Sequence, residues 1–138
     1  MFPVQRLQVD VGVSVVRGTN QALNEPLYDL PADRITASAR YGFALGQTRG
    51  AYAQLGGTFV RRQDQVPSET VYDLPTAGYA LAHMEVGVDQ LWVGATPLSV
   101  SLAVRNVFDT AYRDYLSRYR LFIDDPGRDV ILRLRAMW

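Results

Sequence analysis

Apolar and polar residues alternate along most of this chain with a period of two. Successive side chains of a β-strand point to opposite faces, so this period predicts strands that have one apolar and one polar face. Six stretches follow it, at residues 7–15, 34–45, 51–59, 82–89, 98–105 and 130–138. Helical spacing is hard to find anywhere. We therefore predict an all-β chain, folded as an antiparallel meander of about six strands.

The segments between these strands alternate in length. Residues 46–50 and 89–97 are short connections, whereas residues 17–33, 61–78 and 106–129 are long and carry most of the Pro, Asn and Asp. Strands of roughly nine to eleven residues cross a bilayer at a tilt, and membrane barrels have short turns at one end and long loops at the other. The pattern is typical of a transmembrane barrel.

Alternation alone leaves two interpretations open. In a soluble β-sandwich or lipocalin-like protein the apolar face is buried inside, whereas in a membrane barrel it meets lipid and the polar face lines the interior. Aromatic residues gather near the predicted strand ends, as in the interfacial girdles of membrane barrels. They are Phe59, Tyr79 and Phe108 beside the long loops, and Phe43, Trp92 and Trp138 beside the short connections or the chain end.

Composition narrows the functional classes. The 138 residues fit one domain, and 14 basic side chains balance 14 acidic ones, so we expect no nucleic-acid partner. All the basic residues are Arg, which removes lysine-dependent chemistry, and the absence of Cys removes thiol nucleophiles and cysteine zinc sites. The first residues have no signal-peptide pattern. The chain is thus either cytoplasmic or the continuation of something larger.

One short sequence recurs. Tyr-Asp-Leu-Pro stands at residues 28–31 and again at 72–75, 44 residues apart and just before a new predicted strand each time. A propeller blade would need four strands in such a period, and only two fit. The echo therefore marks either a repeating hairpin unit or a coincidence.

The C-terminal third carries a more specific pattern. Residues 104–114 read Val-Arg-Asn-Val-Phe-Asp-Thr-Ala-Tyr-Arg-Asp, residues 126–130 read Pro-Gly-Arg-Asp-Val, and the last predicted strand ends in Trp138. Pro126 and Gly127 are turn formers, and Asn106 and Asp109 are suited to bonding nearby backbone at a strand exit. Over residues 98–138 the chain closely resembles the end of a TonB-dependent outer-membrane receptor. The motif residues are Asn106, Phe108, Asp109, Tyr112, Arg113, Asp114, Pro126, Gly127 and Arg128.

The resemblance implies a fold and a function. Such receptors resemble a barrel of about 22 strands that contains an N-terminal plug, so residues 1–138 would be the C-terminal portion of the barrel, without the plug and the other strands. The family takes up scarce nutrients such as ferric siderophores across the bacterial outer membrane. The expected partners are outer-membrane lipid, the rest of the barrel, the plug, the TonB energy-coupling complex reached through that plug, and an extracellular chelate.

The resemblance also gives the last strand a role in assembly. Alternating apolar residues that lead to a terminal aromatic look like the signal by which outer-membrane barrels of this kind are recognised. The family usually ends in Phe, where this chain has Trp. The residues concerned are Val130, Leu132, Leu134, Ala136 and Trp138.

Polar side chains on the predicted strands are candidates for the barrel interior. These are Arg40, His83, Glu85, Arg105, Arg133 and Arg135. The arginines have the geometry to bind carboxylate or phosphate groups of an anionic chelate, but we favour pairing with Asp10, Glu85 and Asp89. His83 and Glu85 match the His-x-Glu of zinc deaminases without the cysteines that complete that site. We expect no enzyme, no cofactor and no metal site.

The last long loop also has two interpretations. It holds five aspartates and four arginines, so it is either a salt-bridged surface loop or, with Tyr112, Tyr115 and Tyr119, a contact for an extracellular ligand. A calcium site is conceivable from its acidic pairs, but the EF-hand spacing and its Gly are missing.

Overall fold

A computed structural model describes residues 6–45, 48–68, 73–94 and 96–136. The strands are β1 (Arg6–Ser14), β2 (Thr19–Asn20), β3 (Glu25–Pro26), β4 (Arg34–Leu45), β5 (Thr48–Val60), β6 (Tyr79–Val93), β7 (Thr96–Arg105) and β8 (Asp129–Ala136). Six of them form one sheet in the order β1-β4-β5-β6-β7-β8, and every neighbouring pair is antiparallel. The prediction of an all-β, six-stranded antiparallel meander is confirmed.

The predicted and observed strand bounds differ in instructive places. β6 runs on to Val93, whereas the alternation stops at Asp89, because the pairing with β7 shifts by one residue between Val88 and Leu91. Such a bulge adds a residue to one strand and so interrupts the period-two pattern. The β2–β3 ribbon has only two residues a strand, too few to produce a period. Met137 and Trp138 lie outside the described residues.

The strand register sorts the side chains into two faces. Gln8, Arg40, Gln54 and Glu85 are successive cross-strand partners and form a polar row. The adjacent row of cross-strand partners, Val9, Ala39, Leu55 and Met84, is apolar. We call these the polar face and the apolar face. The apolar face includes Val9, Val11, Val13, Ile35, Ala37, Ala39, Tyr41, Leu55, Phe59, Met84, Val86, Leu102, Val104, Val130, Leu132 and Leu134.

Most of the apolar face is open. The exposed fractions of Val9, Val11, Leu102 and Leu132, on strands β1, β7 and β8, are 60%, 69%, 44% and 64%. A soluble sandwich would bury these side chains against a second layer, and the described residues form no such layer over them. The described residues therefore leave this face of the sheet uncovered.

The two ends of the sheet differ. Hairpins β4–β5 and β6–β7 are each closed by two residues, whereas the other connections, residues 15–33, 61–78 and 106–128, are long and lie together at what we call the long-loop end. Buried side chains at that end include Leu30, Val60, Gln63, Asn106 and Tyr115. In the described parts of the chain, we find no helix long and apolar enough to cross a membrane.

The Tyr-Asp-Leu-Pro echo is not a structural repeat. Leu30 is buried and Asp29 is exposed with a left-handed φ of 54°. In the second copy Leu74 is more than half exposed, while Asp73 is largely buried in an ion pair. The first copy buries its Leu and exposes its Asp, whereas the second copy does the reverse. The two copies are therefore similar in sequence and not in structure.

Candidate functional site

A network of charged and aromatic side chains crosses the polar face from β4 to β8. The Arg40 guanidinium lies 3.5 Å from the centre of the Tyr52 ring and forms an ion pair with Asp89 at 3.0 Å. The Tyr52 hydroxyl donates to the Glu85 carboxylate at 2.6 Å, and Arg133 reaches the other Glu85 oxygen at 3.3 Å. These side chains link four strands. The preference for pairing within the polar face therefore agrees with the structure for Arg40 and Arg133.

Glycines make room for this network. A Cβ on Gly87 would lie 2.7 Å from the Tyr52 ring, so the ring can rest on the sheet only because Gly87 has no side chain. His83 covers Gly56 in the same way, four residues further along the same two strands. Arrangements in which an aromatic ring covers a cross-strand glycine stabilise a sheet where packing is otherwise missing. At these positions the side chains of Tyr52 and His83 therefore lie flat against the backbone of the sheet.

The remaining candidate side chains are less constrained. Within the described residues, no carboxylate lies within 4.0 Å of the Arg105 or Arg135 guanidinium. Arg105 stands opposite Asp129 in the β7–β8 register, and Arg135 stands opposite Ser99. Asp10, a proposed partner, instead accepts a hydrogen bond from the Gln8 amide at 3.0 Å. Two of the four candidate arginines are thus without a carboxylate partner in the part of the chain that the structure describes.

A cleft of about 500 Å³ lies between the polar face and the 106–128 loop. Its polar lining includes Gln54, His83, Glu85, Arg105, Tyr112, Asp129 and Arg133. These supply hydrogen-bond donors of both neutral and cationic type, together with two carboxylates. Among the described residues, no group of three or more His, Asp or Glu side chains could hold a metal ion. The arrangement is suited to binding a polar group.

The motif residues that follow β7 form hydrogen bonds with one another and with the loop backbone. Asn106 has a left-handed φ of 46°, and its side chain both accepts from the Thr110 N–H and donates to the Thr110 carbonyl, each at 2.9 Å. Asp109, with a φ of 55°, accepts from the Arg128 N–H at 2.7 Å. A Cβ on Gly127 would come within 2.5 Å of the same Asp109 oxygen. These short polar side chains and this glycine therefore join the two ends of the loop.

The next motif residues attach the loop to the sheet. The Tyr112 ring packs on Tyr79 with 4.5 Å between ring centres, and Asp114 accepts from the Tyr79 hydroxyl at 2.6 Å and from Arg34 at 2.7 Å. Arg113 donates to Asp124 at 2.6 Å within the loop. Pro126 lies against the cleft, whereas Phe108 is largely exposed. The two parts of the motif, at the start and at the end of the loop, are thus about 20 residues apart in sequence and in contact in the structure.

A buried cluster joins this loop to the 61–78 segment, and the sequence analysis missed it. Asp73 accepts from the Tyr115 hydroxyl at 3.0 Å and from Arg120 at 2.7 Å, and Tyr115 is 2% exposed. Burial, with Asp73 as the next cause, raises the pKa of Tyr115 to about 12. Tyr115 is therefore structural and unavailable to a ligand, while Tyr119 is exposed. The only sequence signal was Asp73 in the Tyr-Asp-Leu-Pro echo.

The residues of the last strand lie at the edge of the sheet. Val130, Leu132 and Leu134 are on the exposed apolar face of β8, and Ala136 is the last residue of that strand. Among the strands that the structure describes, β8 pairs with β7 alone. Trp138, the expected terminal aromatic, lies outside the described residues.

Comparison with protein-family models, with curated proteins and with solved structures gave no match to this chain.

Proposed function

We propose that this chain is the C-terminal portion of the barrel of a TonB-dependent outer-membrane receptor. In this proposal the apolar face meets lipid and the polar face lines the interior of a barrel of about 22 strands. The intact receptor takes up a scarce nutrient, such as a ferric siderophore, across the bacterial outer membrane. The 138-residue chain does not transport anything by itself.

The observation that carries the proposal is the continuous exposed apolar face. Soluble monomers rarely expose contiguous apolar patches larger than a few hundred Å², and here such residues are exposed on every strand of the six-stranded sheet. Lipid-facing positions of a membrane barrel alternate with interior positions along each strand, as Leu55 and Gln54 do on β5. Lipid is the environment in which this face is stable.

The two ends of the sheet support an orientation. Outer-membrane barrels have short turns on the periplasmic side and longer loops on the extracellular side. We therefore assign the connections at 46–47 and 94–95 to the periplasm and the long-loop end to the exterior. The 106–128 loop then stands at the extracellular mouth, held to the polar face through Tyr112 and Asp114.

The contacts of the motif residues support the resemblance. Asn106, Asp109 and Gly127 occupy positions where a left-handed backbone, a short carboxylate or a missing side chain is needed, and Asp109 accepts from the Arg128 backbone N–H. A sequence match in two segments about 20 residues apart arises by chance less often than a match to one short contiguous motif. The motif therefore acts as a unit that closes the last long loop, and it is this unit that resembles the family.

Transport in this proposal is binding followed by energy-coupled movement of the plug, with no covalent step. The cleft beneath the 106–128 loop contributes polar contacts, and the Arg105 guanidinium suits an anionic group of the chelate. Plug, further strands and the TonB complex belong to the rest of the receptor. The substrate class of this proposal, a metal chelate, follows from the resemblance to the family.

The reading frame upstream of the Met1 codon tests the proposal. We expect it to encode a plug and about sixteen further amphipathic strands, and deletion of the 106–128 loop from that intact receptor to reduce uptake of its chelate. A frame without plug or strands would overturn the proposal. So would a chain that is monomeric and soluble without detergent, which is the behaviour of a self-contained soluble β protein.

A further inference from the structure

The six-stranded sheet has two open edges. β1 pairs only with β4 and β8 pairs only with β7 among the described residues. Unpaired backbone N–H and C=O groups cost several kcal/mol each in hydrocarbon, where no water replaces the missing partner. An isolated copy of this sheet is therefore unstable in a bilayer unless both edges find strands.

The two edges are suited to each other. In an antiparallel meander of six strands the first and the last run in opposite directions, so β8 of one copy can continue antiparallel into β1 of the next. Both strands carry an apolar face on the same side of the sheet. A sheet built from joined copies therefore keeps one apolar and one polar face. Because each copy contributes six strands, such a sheet always has an even number of strands.

We propose that the 138-residue chain, by itself in a membrane, associates head to tail with further copies through β8–β1 pairing. One register aligns the strands fully: residues 7–14 lie opposite residues 136–129 of the neighbouring copy. It sets Val11 opposite Leu132 and Val13 opposite Val130 on the apolar face. It also sets Asp10 opposite Arg133 on the polar face.

Charge favours this arrangement over a two-fold dimer through β1. Pairing β1 with β1 over its full length sets Asp10 opposite Asp10, and like charges directly opposite each other destabilise a sheet. The head-to-tail register gives Asp10 two cationic neighbours, Arg133 opposite and Arg135 diagonally. Arg135 has no carboxylate within 4.0 Å among the described residues of its own copy. Head-to-tail contacts between identical copies close into rings when the rotation allows.

Cysteine cross-linking tests the register, since the chain contains no Cys of its own. The double variant Val11→Cys/Leu132→Cys is refolded into phosphatidylcholine vesicles and treated with a short bismaleimide. Within one sheet these positions are five strands apart, roughly 24 Å, so the linker joins only different copies. We expect a ladder of dimers and larger species on denaturing gels.

Matched controls make the result decisive. Leu7→Cys/Leu132→Cys uses equally exposed positions displaced by four residues, about 13 Å along the strand, and should give several-fold less ladder. Each single variant should give little dimer. Asp10→Arg should lower the yield of the ladder roughly fivefold, and Asp10→Asn should lower it less. Three results would each overturn the proposal. They are equal cross-linking in the Val11→Cys/Leu132→Cys and Leu7→Cys/Leu132→Cys variants, dimers from Val11→Cys alone, and a chain that stays monomeric in vesicles. None of these results would contradict the receptor assignment, which depends on the upstream reading frame.

Discussion

The strands and the long-loop end of this molecule are stabilised by different means. The strands expose most of the apolar face, although they bury a few side chains such as Ala51, whereas the long-loop end holds buried side chains such as Tyr115 and Asn106 that are hydrogen-bonded within it. The difference teaches that one region leaves its apolar side chains uncovered, while the other packs against itself. In our proposal lipid covers the apolar face of the strands, and the loops stand in water.

The largest expected effect comes from a charge on the apolar face. Leu55→Arg, at a position 66% exposed near the middle of β5, should destabilise the chain in vesicles by about 2–4 kcal/mol, because an arginine at the bilayer midplane is poorly solvated. The adjacent Gln54→Arg, on the polar face, should cost far less. Urea unfolding in vesicles measures both. Equal costs for the two variants would remove the distinction between the faces.

A smaller effect is expected at the loop closure. Asn106→Ala should destabilise the chain by roughly 1–3 kcal/mol, since it removes both bonds to Thr110 and leaves a residue with a side chain at a left-handed φ. Asn106→Gly removes the same bonds but keeps the backbone conformation, so it should cost less. The cost should be similar in vesicles and in detergent. A strong dependence on lipid would show that the loop is not self-supporting.

The buried cluster predicts a response to alkaline pH. The pKa of Tyr115 is raised to about 12 in the folded chain, against about 10 when unfolded. Above about pH 10 the unfolded chain releases this proton while the folded chain retains it, so stability falls as the pH rises. Absorbance at 295 nm follows the titration, and Tyr115→Phe should show a smaller loss of stability. An unchanged pH dependence in that variant would contradict the assignment.

The smallest effect is expected at the exposed pair Arg17 and Asp33, which lie 2.6 Å apart. The Arg17 hydrogen bond lowers the pKa of Asp33, so this contribution is present above the usual aspartate range and is lost as the pH falls through the lowered value. Exposed pairs contribute little because water and salt screen them. Asp33→Asn should therefore leave the urea midpoint at neutral pH almost unchanged. A large shift would mean that this end of the sheet depends on surface charge.

Much of the fold could be predicted because the alternation is regular. β4 was predicted to the residue, and the order of strands follows from short connections between antiparallel neighbours. The extension of β6 could not be predicted, since the bulge near Val88 interrupts the period that the prediction depends on. The β2–β3 ribbon is too short to leave a pattern.

The candidate site was only partly predictable. The arginines of the polar face were predicted from the alternation, and the residues of the C-terminal motif from the resemblance, but the side chains that they contact depend on the strand register. The role of Tyr52 could not be predicted, because its contact with Gly87 becomes visible only when β5 and β6 are aligned. The Asp73–Arg120 pair joins positions 47 residues apart, and no local pattern connects them.

Site-directed spin labelling in lipid vesicles tests the central claim most directly, because the chain has no native Cys. Labels at Val86→Cys and Leu102→Cys report on the apolar face, and labels at Gln54→Cys and Ser101→Cys report on the polar face. We predict that the first pair collides more with oxygen, which concentrates in lipid, and the second more with a water-soluble nickel complex. Equal accessibility of all four positions to the nickel complex would contradict the claim that the apolar face meets lipid.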